Sequence, residues 1–328
     1  MVEQLFRKLE PSLIGWDKIK YNPELVINRR HPEQNTYPRL GVIAFRKPDN
    51  GQLIGIIINY ACHPTTLPFN NYKLSADYPG RTNDRIAEKS GNLIKSIYIN
   101  GPSGNLNPIT TCGTDPEKIK SDSSLVYDQV GTYEDTVRIG YTIADRALEL
   151  AENIPNSKYF NEIEVLPHTR HIIIPNNDFK YFSNQWFRNK LIYAFQKYFV
   201  LNIARFTHTR SNFPPLNMIS SQGKIECKTI IQKVILKAKN GSKHRNASIL
   251  TFPGELFDEI GDYFHEHSVT EEENTFIFQN THDWIGYLFS KKEYVEYGGY
   301  ELTVSFFHTC GEHVFNEMKD LLNPIDEV

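Results

Sequence analysis

Three loops of the 328-residue sequence each follow an apolar run, and each offers a group that can do chemistry. Ligands gather at the carboxyl ends of strands in open α/β sheets, so such loops are the first candidates. In ACHPTT (61–66), His63 follows IGIIINYAC and is held by Pro64, a good position for a rigid metal ligand. A histidine hydrogen-bonded to a loop carbonyl would read the same way. In TFPGELFDEIG (251–261), Pro253 and Gly254 end an apolar run and put Glu255 at or near the first turn of a helix. There a carboxylate either answers the helix dipole, worth about 0.3–1 kcal/mol, or serves as a hard oxygen ligand. NGPSGNLNP (100–108) carries Gly101 and Gly104 and can present backbone N–H groups to an oxyanion or hold a substrate carbonyl; read blandly, it is a tight turn. It has neither G-K-[ST] nor G-x-G-x-x-G, so it is not a phosphate loop. Tyr287, Tyr294, Tyr297 and Tyr300 form a cluster of phenols, although most such tyrosines only pack. His168, His171, His208, His282, His308 and His313 show no H-E-x-x-H or comparable spacing and are assigned no role. A G-x-S-x-G elbow is also missing. Cys62 is adjacent to His63 only in sequence, whereas a thiolate and its base normally come from distant positions, so a cysteine hydrolase is disfavoured.

The elements that must position these loops are legible from period and punctuation. LGVIAFRK and GQLIGIIINYACH are β-branched runs joined by KPDNG, which predicts a hairpin running into His63. SADYPGRTNDRIAEKSG predicts a helix capped by Ser75 or Asp77 and closed by Gly91, and LIKSIYIN the next strand. From about Tyr127 to Asn153, apolar spacing of three and four marks the best helix in the chain. NEIEVLPHTRHIIIP reads as a strand pair or one bent strand. IECKTIIQKVILKAK and ASILTFPG read as strands joined at KNGSK, TFIFQNT as a strand, and FDEIGDYFHEH and EHVFNEMKDLLN as helices. The expectation is an α/β fold: a mixed-sheet core with flanking helices and a helical insertion around 176–210. Residues 1–38 show no steady period and read as a loop-rich lead-in.

Composition excludes several classes. Lys+Arg 36 against Asp+Glu 39 leaves a formal net charge of −3, so no broad positive field exists to hold a nucleic acid. At 40% hydrophobic and 23% charged residues the chain is too apolar for disorder. No stretch reaches the roughly 18 apolar residues of a spanning helix. Cys62, Cys112, Cys227 and Cys310 form no C-x-x-C pair, which argues against a zinc knuckle and leaves room for one or two disulfides. The first residues lack a signal-peptide pattern, so the sequence as written reads as cytoplasmic, or as extracellular should a leader precede Met1.

Taken in order, ELVINRR, IGIIINYACHPTTL, LSADYPG, NGPSGNLNP, FPGELFDEIG, NTHDWIGYLFSKKEYVEYGGYE and GEHVFNEMKDLL resemble the neutral/alkaline non-lysosomal ceramidase family, and especially its short microbial members. These are zinc-dependent amidases, and the resemblance covers most of the chain from about residue 25. It implies a single ceramidase-like catalytic domain over 1–328, without the C-terminal β-sandwich of longer ceramidases. The family's second metal histidine, in H-[GP]-T-[ST], falls on His63; its metal glutamate, in P-G-E, on Glu255; its metal tyrosine on Tyr287. The tyrosine that polarises the amide carbonyl falls on Tyr300, with Tyr297 as the neighbouring alternative. The resemblance further implies Zn2+ as cofactor, an N-acyl lipid or other linear amide as substrate, and the loop bearing Gly104, Asn105 and Asn107 as substrate-binding. Two departures accompany it. The T-H-T-H-S-G-P motif carrying the family's first metal histidine is missing, as though the chain were N-terminally incomplete or a separate chain supplied that lobe. Where relatives read G-D-x-[SN]-P, this sequence has Asn105 and Asn107, which puts a base at this loop and ceramide specificity in doubt. Two functions follow as expectations: a zinc-dependent amide hydrolase, or a catalytically inactive remnant or subunit that binds a ligand or a partner chain.

Overall fold

The computed structural model describes residues 9–68, 70–109, 131–174 and 227–294 in full, 175 and 226 by their backbone, and residues 301, 305 and 309–323. The expected helical insertion at 176–210, Cys112, Tyr297, Tyr300 and His308 lie outside the described residues. The α/β architecture is as expected, with four layers: helices, sheet, sheet, helices.

The first sheet runs β5 (Lys95–Asn100), β4 (Leu53–Tyr60), β3 (Arg39–Arg46), β1 (Leu13–Lys20) and β7 (Tyr159–Phe160). β3 and β4 form the predicted hairpin, with Gly51 at φ +69° in its turn. Helix α1 (Asp77–Lys89) then returns the chain to β5, which pairs parallel to β4. Gly91 at φ +60° follows the helix end, as the sequence predicts. The start differs: Ala76 is the N-cap and no side chain caps it. Ser75 Oγ instead accepts the Asp77 N–H at 3.0 Å. Helix α2 (Tyr133–Glu152) opens on a capping box between Thr132 and Asp135. Its buried stripe, Ile139, Ile143, Ala147 and Ala151, packs with α1 against Leu40, Val42, Ile56 and Ile58 of the sheet. Each large apolar side chain so buried is worth about 1.5–3 kcal/mol.

The second sheet runs β12 (Thr275–Phe278), β10 (Lys243–Thr251), β9 (Glu226–Asn240) and β8 (Glu162–Pro175). β8 is one continuous strand, which settles the alternative left by its sequence. β9 and β10 turn at Gly241, φ +60°, and β12 pairs parallel to β10. Helices α3 (Asp258–Glu266) and α4 (Cys310–Leu322) cover the outer face through Ile260, Phe264, Val314 and Met318. Between the sheets lie Trp16, Ile43, Leu236, Ala247 and Phe276.

The lead-in corrects the sequence reading, because residues 13–20 form strand β1, interior to the sheet between β3 and β7 and paired with β3 from Leu13↔Arg46 to Lys20↔Arg39. Alternation is hidden there by Lys18, which is buried. Its amine donates to Thr275 O and meets His265 Nδ1 at 3.1 Å, so the polar head is satisfied inside the fold. No helix among the described residues is long and apolar enough to cross a membrane.

Candidate functional site

The site is assembled by two short ladders. β2 (Val26–Asn28) pairs antiparallel with β6 (Leu106–Pro108), and β11 (Glu255–Leu256) pairs parallel with β13 (Tyr287–Leu288). β6 carries the glycine-loop segment and also receives the residue after the long hairpin, through His63 N–H to Leu106 O at 2.9 Å. Gly104 N–H donates to Leu256 O at 2.7 Å and ties the two ladders together. A Cβ on Gly104 would stand 2.5 Å from Glu255 O, so only glycine permits this approach.

This stitching brings together His63, Glu255 and Tyr287, which are far apart in sequence. His63 Nε2 is 3.3 Å from Glu255 Oε2 and also 3.3 Å from Gly104 O. Tyr287 is the register partner of Glu255 and hydrogen-bonds its carboxylate. The His63 and Tyr287 rings meet edge-on at 6.1 Å. Trp284 Nε1–H donates to Glu255 Oε1 at 2.7 Å, which leaves Oε2 as the oxygen facing the imidazole. The helix-dipole reading of Glu255 does not hold, because Glu255 sits in β11 and the first turn of α3 belongs to Asp258 and Glu259.

Burial sets the protonation states. His63 is 8% exposed, and burial, reinforced by the Arg29 charge, lowers its pKa to about 3 against the opposing Gly104 carbonyl. It is a neutral imidazole at pH 7. Burial raises the Glu255 carboxyl, while Trp284, Tyr287 and Arg29 pull it back. Cys62 is buried and its thiol is pushed far up by burial, so it has no nucleophilic character. No disulfide joins Cys62, Cys227 and Cys310 to one another.

Arg29 has no signal in the sequence beyond ELVINRR, yet it organises the floor. It donates to Glu301 Oε1 at 3.0 Å, to Asn107 Oδ1 at 2.7 Å and to Gly104 O at 2.5 Å, and it lies 5.4 Å from the Tyr287 ring centre. Arg30 adds Glu293 at 2.6 Å and Glu301 at 3.0 Å. Asn105 is fully buried; its Oδ1 accepts the Asp258 N–H at 2.9 Å and its Nδ2 donates back to the Asp258 carboxylate. Gly104, Asn105 and Asn107 are therefore buried and bonded within the protein, beside His63 and Glu255. Asp77 holds the loop after His63, accepting from Thr66 N–H at 3.3 Å and Leu67 N–H at 3.1 Å. Its φ is +50°, in the left-handed region that aspartate adopts more readily than most residues.

The donor set can be tested against zinc. Two ligands at about 2.0–2.1 Å from a tetrahedral ion stand roughly 3.3 Å apart, the separation of His63 Nε2 and Glu255 Oε2. The neutral imidazole and the carboxylate are ordinary zinc donors, and the Tyr287 phenol adds a third oxygen beside them. Among the described residues no group of three or more His, Cys, Asp and Glu is placed to hold a metal, and the further side-chain oxygen on the Glu255 carboxylate is the Tyr287 phenol.

Two solved structures share the fold. The neutral ceramidase from Pseudomonas aeruginosa superposes with a TM-score of 0.58 at 14% identity, covering 98% of this chain and 54% of that one. A ceramidase complexed with C2 gives 0.59 at 13% identity, covering 98% and 55%. The fold is thus ceramidase-like, and the chain spans about half the length of these ceramidases. No protein-family profile and no curated protein matches the sequence.

Proposed function

We propose that this chain is a ceramidase-like, metal-dependent hydrolase that cleaves a linear amide in an N-acyl lipid or a similar substrate. The observation that carries the reading is the meeting of His63 and Glu255, from separate ladders, at a separation suited to one ion, with Tyr287 on the same carboxylate. His63, Glu255 and Tyr287 would hold zinc. When bound, it would act as a Lewis acid toward the amide carbonyl and make a water nucleophilic near neutral pH. The protein's own part is positional: Trp284 fixes which oxygen Glu255 turns inward, Gly104 brings the ladders into contact, and Arg29 braces both. Tyr300 is proposed to support the carbonyl as oxygen charge develops.

The test is metal analysis of the purified chain together with hydrolysis of N-acyl amides. About one zinc per chain, lost in His63→Ala along with hydrolysis, is the expected result. Wild type without zinc after zinc loading defeats the reading. A second reading, a subunit that needs a partner chain, is favoured by the donor set having a single imidazole among the described residues. It predicts weak zinc binding that tightens at least tenfold when a histidine-bearing partner is supplied.

A further inference from the structure

Trp284 is anomalous in its setting. It is one of three tryptophans in the chain and is 49% exposed, while its neighbours Ile285 and Tyr287 are buried. The loop presenting it turns through two left-handed residues, Asn280 at φ +55° and His282 at φ +69°, of types that adopt this region more readily than most. Surrounding hydrogen bonds fix this backbone. Thr281 N–H donates to Phe252 O at 3.1 Å, Ile285 N–H to Pro253 O at 2.9 Å, and Thr229 Oγ1 to Asp283 Oδ2 at 2.8 Å. The loop is therefore pinned to β9 and to the residues just after β10, on either side of a large ring left half exposed. The ring's one polar atom is fastened to Glu255 Oε1. What sets this ring apart from the other exposed apolar side chains is that its N–H is bonded to the candidate ligand carboxylate, so its exposed face lies beside the site.

We propose that Trp284 is the specificity-determining residue of this site. Its indole N–H is anchored on Glu255, and its exposed ring is the apolar platform for the acyl chain of an N-acyl amide. The inference rests on the amide-hydrolase reading for the identity of the ligand, but it can be measured without turnover. In metal-free full-length protein, binding of N-octanoylethanolamine and N-acetylethanolamine is compared by calorimetry. Wild type should prefer the octanoyl amide by at least tenfold. Trp284→Ala should lose most of that preference by weakening octanoyl binding alone, and Trp284→Phe should keep it within about threefold. Zinc affinity separates the second role: Trp284→Phe, lacking the N–H, should bind zinc about 10–100-fold more weakly, as loss of a hydrogen bond to a ligating carboxylate does. An octanoyl preference unchanged in Trp284→Ala, or the absence of any such preference in wild type, overturns the proposal. Failure of zinc-loaded wild type to hydrolyse either amide would count against the hydrolase reading and leave this binding result standing.

Discussion

Two histidines lie buried among the described residues, and they differ in what faces them. His63 is 8% exposed and His265 2%. Burial lowers both pKa values and keeps both rings neutral at pH 7, so each has a nitrogen lone pair for a metal. His63 turns Nε2 toward a carboxylate and a phenol on the opposite ladder. His265 turns Nδ1 toward the amine of Lys18, with Arg39 and Lys20 adding positive charge nearby. A cation would be met by an anionic oxygen at the first ring and by competing positive charge at the second. Neutral imidazole is thus the common product of burial, and the sign of its neighbours decides whether it can serve a metal.

The strongest way to break that contrast is to remove each ring. His63→Ala should abolish zinc binding and reduce amide hydrolysis by more than about a thousandfold, the scale set by removing a group on which the chemistry depends. His265→Ala should keep zinc content and hydrolysis within a few fold while lowering stability by about 1–3 kcal/mol in urea denaturation, because Lys18 loses an acceptor. Equal zinc loss in the two variants would erase the distinction.

Arg29→Met probes the charge that braces the first ring. It leaves Glu301, whose side chain is fully buried, without that partner. A loss of about 3–5 kcal/mol is expected in urea denaturation. The exposed pair Lys239–Glu162 is the control, and Lys239→Met should cost less than about 0.5 kcal/mol.

A smaller effect tests the second ring's neighbour. Burial, with Arg39, lowers the Lys18 pKa from 10.5 to about 7, while Glu272 and Glu273 oppose this. Between those values the unfolded chain holds a proton that the folded chain does not, so this group's contribution makes stability rise with pH from about 7 to about 10.5. Below about 7 the full burial penalty is present. Lys18→Met should flatten that rise by up to a few kcal/mol, seen by comparing denaturation midpoints of variant and wild type at neutral and alkaline pH. Parallel profiles would mean that the amine is solvated. The smallest effect is expected at Asp77→Asn, where one of the two oxygens accepting from Thr66 N–H and Leu67 N–H is replaced by a donor. About 1–2 kcal/mol should be lost, with zinc affinity reduced severalfold as the His63 loop loosens.

Much of the fold was legible because its elements are locally self-consistent. The hairpin ahead of His63, with its Asp-Asn-Gly turn, and the three-and-four spacing of α2 need no distant partner to be read. β1 failed that test: Lys18 interrupts its alternation, and its burial makes sense only once His265 and Thr275 arrive from residues more than two hundred positions away. The candidate site divides the same way. His63 and Glu255 stood out as a polar residue placed directly after an apolar run, whereas Arg29 and Trp284 carried no local mark. An arginine's role as a brace and an indole's role as a carboxylate anchor are properties of what lies opposite them.

The sequence by itself determined where the strands end, and hence which loops present His63, Glu255 and the Gly104 segment, because chain stiffness, turn chemistry and apolar period act over a few residues. Only the tertiary structure decided that imidazole and carboxylate meet at 3.3 Å, that Asn105 clamps the start of α3 and that Glu255 belongs to a strand and not a helix turn. Those outcomes depend on two short ladders being stitched through Gly104, a contact between segments about 150 residues apart whose free energy no local window contains.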